Sequence, residues 1–517
     1  GLEHVNRSLI RNWHNHKGRQ LKTAFLRKLG AFDEAENLIA DSLKIDPFNA
    51  GCRFEAYLVK NARGQTQDAV NVKAELEEMM RGAVHSYLEY AIDYVAAGLY
   101  GEASALLQFV IEDNERTYPM VYYALGYFSS LAGDEAAAKQ YYIKAESMSP
   151  KYCFPNKLEE VLMLNDAMRV NPAGAKAFYY LGNFWYNARQ YEEAIACWEA
   201  SVEKDDTYPT ALRNLALGYY NKRQDTGKAL TALEKAFALD TTDARILMEL
   251  DQLYKKLKYP HRRRLEMLEK YAELVEQRDD LCIERITLYN QLGEYERAYD
   301  LINSRKFHPW EGGEGKVTGQ YLLCRMELAK KALGEQRFED AARLLKETEK
   351  YPENLGEGKL ATAEENDVHY YLGCAYEGLG DNETARRYFS EATRGSDEPA
   401  IAFFYNDQQP DKIFYQGLAW RKLGDEAKAR SCFNKLIKHG EKHLFDDVKI
   451  DYFAVSLPDL LIWDDDLNVR NKVHCNLVMG LGYLGLGDKV KAKRFISEVV
   501  NLDINHQVAV AHLAMCD

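Results

Sequence analysis

Phe178-Tyr-Tyr-Leu-Gly182-Asn-Phe-Trp185, followed by Tyr191-Glu-Glu-Ala194-Ile-Ala-Cys-Trp198, is the stretch whose reading decides the fold. A small residue sits in the middle of one apolar segment, with an aromatic three residues later. A short break follows, and then a second segment centred on Ala. The same order recurs upstream as Tyr122-Tyr-Ala-Leu-Gly126, then Gly133-Asp-Glu-Ala-Ala-Ala138, closing on Ala145 and Pro150. Downstream it recurs at Gly373, Tyr376, Gly380, Ala385, Phe389 and Ala392, at Gly417, Trp420, Gly424 and Ala429, and at Gly480, Tyr483, Gly487 and Ala492. Near the start, Leu29-Gly30-Ala-Phe32-Asp-Glu-Ala35 runs on to Ile45-Asp46-Pro47.

Each copy reads as a helical hairpin. A Gly or Ala in mid-helix lets the paired helix approach closely, and the Gly between segments supplies the positive φ that ends the first helix. One hairpin cannot bury its apolar face alone, so copies must stack. These features resemble the tetratricopeptide repeat. The expected fold is therefore all-α: a right-handed superhelical solenoid of about twelve tetratricopeptide-type helix hairpins. The copies start near residues 16, 50, 84, 119, 175, 209, 244, 279, 322, 366, 410 and 473, and those near 50 and 244 are degenerate. Residues 153–172 read as an unpaired helix and 506–516 as a terminal capping helix. Three regions are expected: N-terminal repeats over 1–152, regular central repeats over 153–278, and C-terminal repeats with long loops over 279–517.

Composition agrees. Hydrophobic residues make up 46% of 517, enough for a core, and only 12 are proline. The net charge, 67 − 80 = −13, argues against nonspecific binding to nucleic acid or an anionic membrane. No apolar run reaches the roughly 18 residues a membrane span needs. Nine Cys are scattered without a CxxC pair, as in a reduced cytoplasmic protein. The Gly1-Leu2-Glu3-His4 start carries no signal peptide and no Met, which points to a processed form or a piece of something longer.

The later copies are spaced at 43, 44, 44 and 63 residues, well above the usual period, and the surplus lies in loops. Two loops match. Pro309-Trp310-Glu311-Gly-Gly-Glu314-Gly-Lys316 and Pro352-Glu-Asn-Leu-Gly-Glu357-Gly-Lys359 both read Pro-x-x-x-Gly-Glu-Gly-Lys, 43 residues apart. Two readings stay open. In one, the motif is a tight connection whose Lys caps a helix end or pairs with a neighbouring Glu. In the other, it is a site for a polar ligand. It is not a P-loop, because Trp310 and Glu353 stand where Gly is needed, and Val317 and Leu360 where Ser or Thr is needed. Further on, Phe403-Phe-Tyr405-Asn406-Asp407 and the stretch from Phe445 to Asp466 mix aromatics with carboxylates and amides. That composition suits a sugar site, a wet protein contact, or loops packing their aromatics back onto the helices.

Catalytic signatures are missing: there is no HExxH, GxSxG or Walker motif. Asp464-Asp465-Asp466 lacks the alternation and Gly of a calcium loop, so no metal and no cofactor is expected. Some tetratricopeptide proteins clamp a chaperone's C-terminal carboxylate. Asn183, Asn214 and Arg245 stand at three of the five clamp positions, but Tyr179 and Glu249 fill the other two, which undermines a carboxylate clamp. Asn183 and Asn214 remain candidates for hydrogen-bonding an extended peptide.

From about residue 190 onward a narrower resemblance appears. Glu276-Gln-Arg-Asp-Asp280, the loop from His308 to Gln320, the loop from Tyr351 to Leu360, and Lys442-His-Leu-Phe through Phe453 carry it. They resemble the C-terminal repeat region of large bacterial proteins that hold a domain of unknown function. In that family the repeats follow a β-rich region similar to carbohydrate-active proteins. The resemblance implies an accessory module and assigns no reaction. The expected function is a non-enzymatic scaffold contacting a protein or its own missing N-terminal domain. The alternative is that the loops touch an oligosaccharide, or complete the active site of a glycoside-hydrolase-like protein. Candidate contact residues are Trp310, Glu311, Glu314, Lys316, Glu357, Lys359, Tyr405, Asn406, Asp407, Asn183 and Asn214.

Overall fold

The computed structural model describes residues 1–111, 117–310, 312–400, 409–449 and 461–516. Among them every regular element is an α-helix or a short 3-10 turn, with no strand. The chain divides into two compact units, Gly1–Gly218 and Tyr219–Asp517.

The mid-helix Gly does what its place in the repeat requires. A methyl built on Gly126, Gly182, Gly373, Gly417 or Gly480 would lie within 2.4–2.5 Å of Tyr142, Trp198, Phe389, Phe433 or Ile496 respectively. Each pair is sixteen positions apart in sequence. The large residue of the second helix thus rests directly on the first helix's backbone, and only hydrogen fits between them.

The turn between paired helices is equally determined. Gly380 and Gly487 adopt φ of 79° and 85°. The Asp that follows each of these glycines caps the next helix: Asp381 accepts from Thr384 N at 3.0 Å and Asp488 from Lys491 N at 3.1 Å. Gly-Asp thereby ends one helix and starts the next. Arg189, Gln224, Lys258 and Gln336 hold the same positive φ without being glycine, at 61°, 55°, 57° and 59°. The hairpin contacts around them keep these residues in a region that L-residues avoid.

In the first unit the helix Leu158–Val170 stands without a hairpin partner and packs on Pro119–Leu131 and Lys176–Asn187. In the second unit the helices Pro410–Lys422, Glu426–His443, Leu467–Leu486 and Lys489–Leu502 share one core built on Phe414, Phe433, Leu481 and Ile496. Gln507–Leu513 closes that core with Ala509. Among the described residues no helix is long and apolar enough to cross a membrane.

Candidate binding surfaces

Asn183 and Asn214 stand on neighbouring first helices and touch. Asn214 Nδ2 donates to Asn183 Oδ1 at 3.0 Å, and Trp198 Nε1 donates to the same oxygen at 3.1 Å. Indole N–H is only a donor, so this contact fixes which end of the Asn183 amide is oxygen. The Asn183 NH2 makes no hydrogen bond among the described residues, and the side chain is half-buried. Arg213 donates to Asn214 Oδ1 at 3.2 Å. Tyr179 is buried against Tyr208 and Tyr180. In the second unit, Arg245 pairs with buried Glu249 at 2.9 Å.

The two matched loops nest into one another. The Glu357 carboxylate accepts from Gly315 N at 3.0 and 3.2 Å and from the Thr318 hydroxyl at 3.3 Å, so the second loop caps the helix Lys316–Gly334 that follows the first. Burial pushes the Glu357 carboxyl up, against the lowering effect of the Gly315 N–H and the Thr318 hydroxyl. Asn354 Nδ2 donates to the carbonyls of Ile302 and Arg305, and Phe307 N donates to Asn354 O at 2.8 Å. Lys359 Nζ bonds the carbonyls of Thr348 and Glu349 and pairs with Glu365 at 2.5 Å. The groups of the second copy are therefore engaged within the chain. In the first copy, Glu314 and Lys316 are exposed, and the Trp310 ring lies against Gly313. Glu311, Tyr405, Asn406 and Asp407 lie outside the described residues.

Just ahead of Leu467, Trp463 packs back onto the helices. Trp463 is 1% exposed, donates to the Glu249 carbonyl at 3.0 Å and packs edge-on against Tyr220. Beside it lies a cleft of about 1030 Å³. Tyr220, Asn221, Lys255 and Lys258 line one wall, and Asp464, Arg470, His474 and His506 the other. Burial, then repulsion from His439, lowers His474 to about 4, so the ring is neutral at neutral pH.

Sequence reasoning did not find the buried charge next to this cleft. Arg264 is 1% exposed and donates to both oxygens of the fully buried Asp251, at 3.0 and 2.6 Å, and to Glu284 at 3.0 Å. Burial alone would raise Glu284, but Lys255 and Arg264 bring it down to about 2. The available signal was the weak repeat pattern near 244, where Asp251, in Leu250-Asp251-Gln-Leu-Tyr254, stands at the place that Gly182 holds in its own repeat. Among the described residues no group of three or more His, Cys, Asp or Glu is arranged to hold a metal ion.

Several solved structures are similar to this chain in part. The Cut9–Hcn1 hetero-tetramer of the APC/C is 14% identical, with 99% of this chain and 92% of that one covered at a TM-score of 0.27. The P58(IPK) TPR domain is 15% identical over 73% and 98% of the two chains at 0.23, and MamA 41-end from Desulfovibrio magneticus RS-1 is 21% identical over 38% and 97% at 0.23. At such TM-scores the fold rests instead on the helices described above and on matched sequence. Residues 121–152 of the first unit, and 367–394 and 413–439 of the second, match models of the tetratricopeptide repeat, so both units of this helical chain contain tetratricopeptide repeats.

Proposed function

We propose that this chain is a protein-interaction scaffold whose first unit holds an extended segment of a partner protein at Asn183 and Asn214. The observation that supports this reading is the Asn183 amide. Its oxygen is tied by Trp198 and Asn214, which leaves a positioned NH2 to donate to a partner's backbone carbonyl. Such a bond reads no side chain, so specificity must come from neighbouring positions. The glycan alternative lacks a comparable observation: Trp463 offers no free face, and Trp310 lies on its own loop.

The test is selection of peptides from a random display library against the full chain, followed by affinity measurement on variants. Asn183→Ala should weaken the selected peptides about tenfold, the loss of roughly one good hydrogen bond. The melting temperature should hardly change, because Trp198 Nε1 also faces the Tyr179 carbonyl at 3.3 Å. Selected peptides that ignore both Asn183→Ala and Asn214→Ala would remove this reading.

A further inference from the structure

In the second unit the chain holds a segment of itself in a defined way. Residues 461–466 are neither helix nor strand, and three of them dock on repeat helices. The Asn221 amide binds the segment's backbone twice: its Nδ2 donates to the Ile462 carbonyl at 2.9 Å, and its Oδ1 accepts from Asp464 N at 2.8 Å. Between these two bonds the Trp463 ring packs on Tyr220, with centroids 5.2 Å apart, and its Nε1 donates to the Glu249 carbonyl at 3.0 Å. Lys222 adds an ion pair with Asp464 at 3.4 Å.

The residues that do this have repeat-equivalent counterparts in the first unit. Tyr220 and Asn221 are the twelfth and thirteenth residues of the repeat that starts at 209, and Glu249 is the sixth of the repeat that starts at 244. One repeat earlier, the same places hold Tyr186, Asn187 and Asn214, all within the first unit. Asn187 ends the helix Lys176–Asn187 just as Asn221 ends the helix Pro209–Asn221.

The counterparts keep the chemistry. Asn187 is exposed, and its amide makes no hydrogen bond among the described residues. An amide carries both a donor and an acceptor, so it can bond a backbone carbonyl and a backbone N–H at once. Tyr186 is half-buried, with Tyr191 and Trp198 at ring centroids of 5.1 and 5.3 Å. A helix carbonyl retains a second lone pair, so the Asn214 carbonyl can accept from an indole as the Glu249 carbonyl does. The Asn214 side chain is the one already bonded to Asn183. One feature is not repeated: Ala188 stands where Lys222 pairs with Asp464.

We infer that Tyr186, Asn187 and Asn214 hold a partner's segment centred on a tryptophan, bound as Ile462-Trp463-Asp464 is bound in the second unit. Asn187 takes the carbonyl before the tryptophan and the N–H after it. The indole lies on Tyr186 and donates to the Asn214 carbonyl. With Ala188 in place of Lys222, the residue after the tryptophan needs no carboxylate. The inference rests on the reading of the Asn183–Asn214 surface as a holder of partner segments, and it supplies the side chain that surface recognises.

The test is calorimetric titration of the full chain with an acetylated, amidated peptide of residues 461–466, Leu-Ile-Trp-Asp-Asp-Asp. The chain's own copy fills the second-unit position, so binding should occur at one site and depend on Asn187. Asn187→Ala should weaken it about tenfold. Asn187→Asp keeps the acceptor, loses the donor and should weaken it as well. A peptide with Trp463→Ala should lose about thirtyfold, whereas one with Asp464→Asn should bind as the parent does. Absence of binding, indifference to both Asn187 variants, or equal binding of the peptide without tryptophan would each overturn the inference. Library peptides that respond to Asn183→Ala but carry no tryptophan would overturn it too, while leaving the Asn183–Asn214 reading intact.

Discussion

Gly182 and Trp198 lie so close that a methyl on Gly182 would stand 2.4 Å from the indole ring, and that indole's N–H holds the Asn183 oxygen. One contact thus sets both the packing of a hairpin and the direction of the amide beside it. Gly182→Ala should cost about 1–3 kcal/mol, the usual penalty for overpacking a tight core. It should also shift Trp198 emission. Chemical denaturation followed by fluorescence reads both effects, and unchanged stability would show that the helices can separate freely.

Arg189 sits in the same hairpin's turn at φ 61°, exposed to water. Glycine takes this conformation without the Cβ clash. Arg189→Gly should therefore stabilise the first unit by about 0.5–1 kcal/mol, which is an unusual direction for a glycine substitution. A lower melting temperature would contradict it.

Asp251 balances Arg264 in the interior of the second unit. Without Asp251, the buried guanidinium keeps Glu284 as a carboxylate partner but loses the two hydrogen bonds that Asp251 accepts. Asp251→Ala should destabilise that unit, by less than the about 3–5 kcal/mol of a buried charge left wholly unpaired. Replacing Asp251 and Arg264 together by apolar residues of similar volume should cost much less, and a double-mutant cycle in urea measures the difference.

The lowered His474 gives a pH dependence with a definite sign. The unfolded chain binds this proton near 6.5 and the folded chain near 4. Between those values the unfolded state holds more protons. The stability is complete above about pH 6.5 and is lost as pH falls towards 4, by about 3 kcal/mol at most. Burial lowers His439, His506 and His512 as well, so they add in the same direction. Urea midpoints at pH 7 and pH 4.5 should differ less for His474→Gln than for the wild type.

The matched loops predict an asymmetry between identical motifs. Glu357→Ala removes the acceptor at the start of Lys316–Gly334 and should cost about 0.5–2 kcal/mol, as other cap losses do. Glu314→Ala, at the equivalent but exposed position, should leave stability within about 0.5 kcal/mol. Equal effects would mean that Glu357 is not the cap.

The sequence by itself determined that the chain is helical and built of hairpins. It did so because hairpin contacts are local: Gly373 and Phe389 are sixteen positions apart, and the Gly380-Asp381 turn lies between them. Local geometry leaves a periodic trace that survives at Gly126, Gly182, Gly417 and Gly480. Asn183 and Asn214, singled out in sequence by their places on two successive first helices, are hydrogen-bonded to each other. Tertiary structure alone decided where the loops and the polar residues go. Glu314 and Glu357 are the same letter in the same motif, yet one faces water and the other caps a helix, because only the second has a loop in front of it. Trp463 is buried by Tyr220 and Glu249, and Asn505 meets Arg264, across more than two hundred residues. No local pattern records such partners, since loop-closure cost rises only slowly with length and leaves no spacing for the sequence to show.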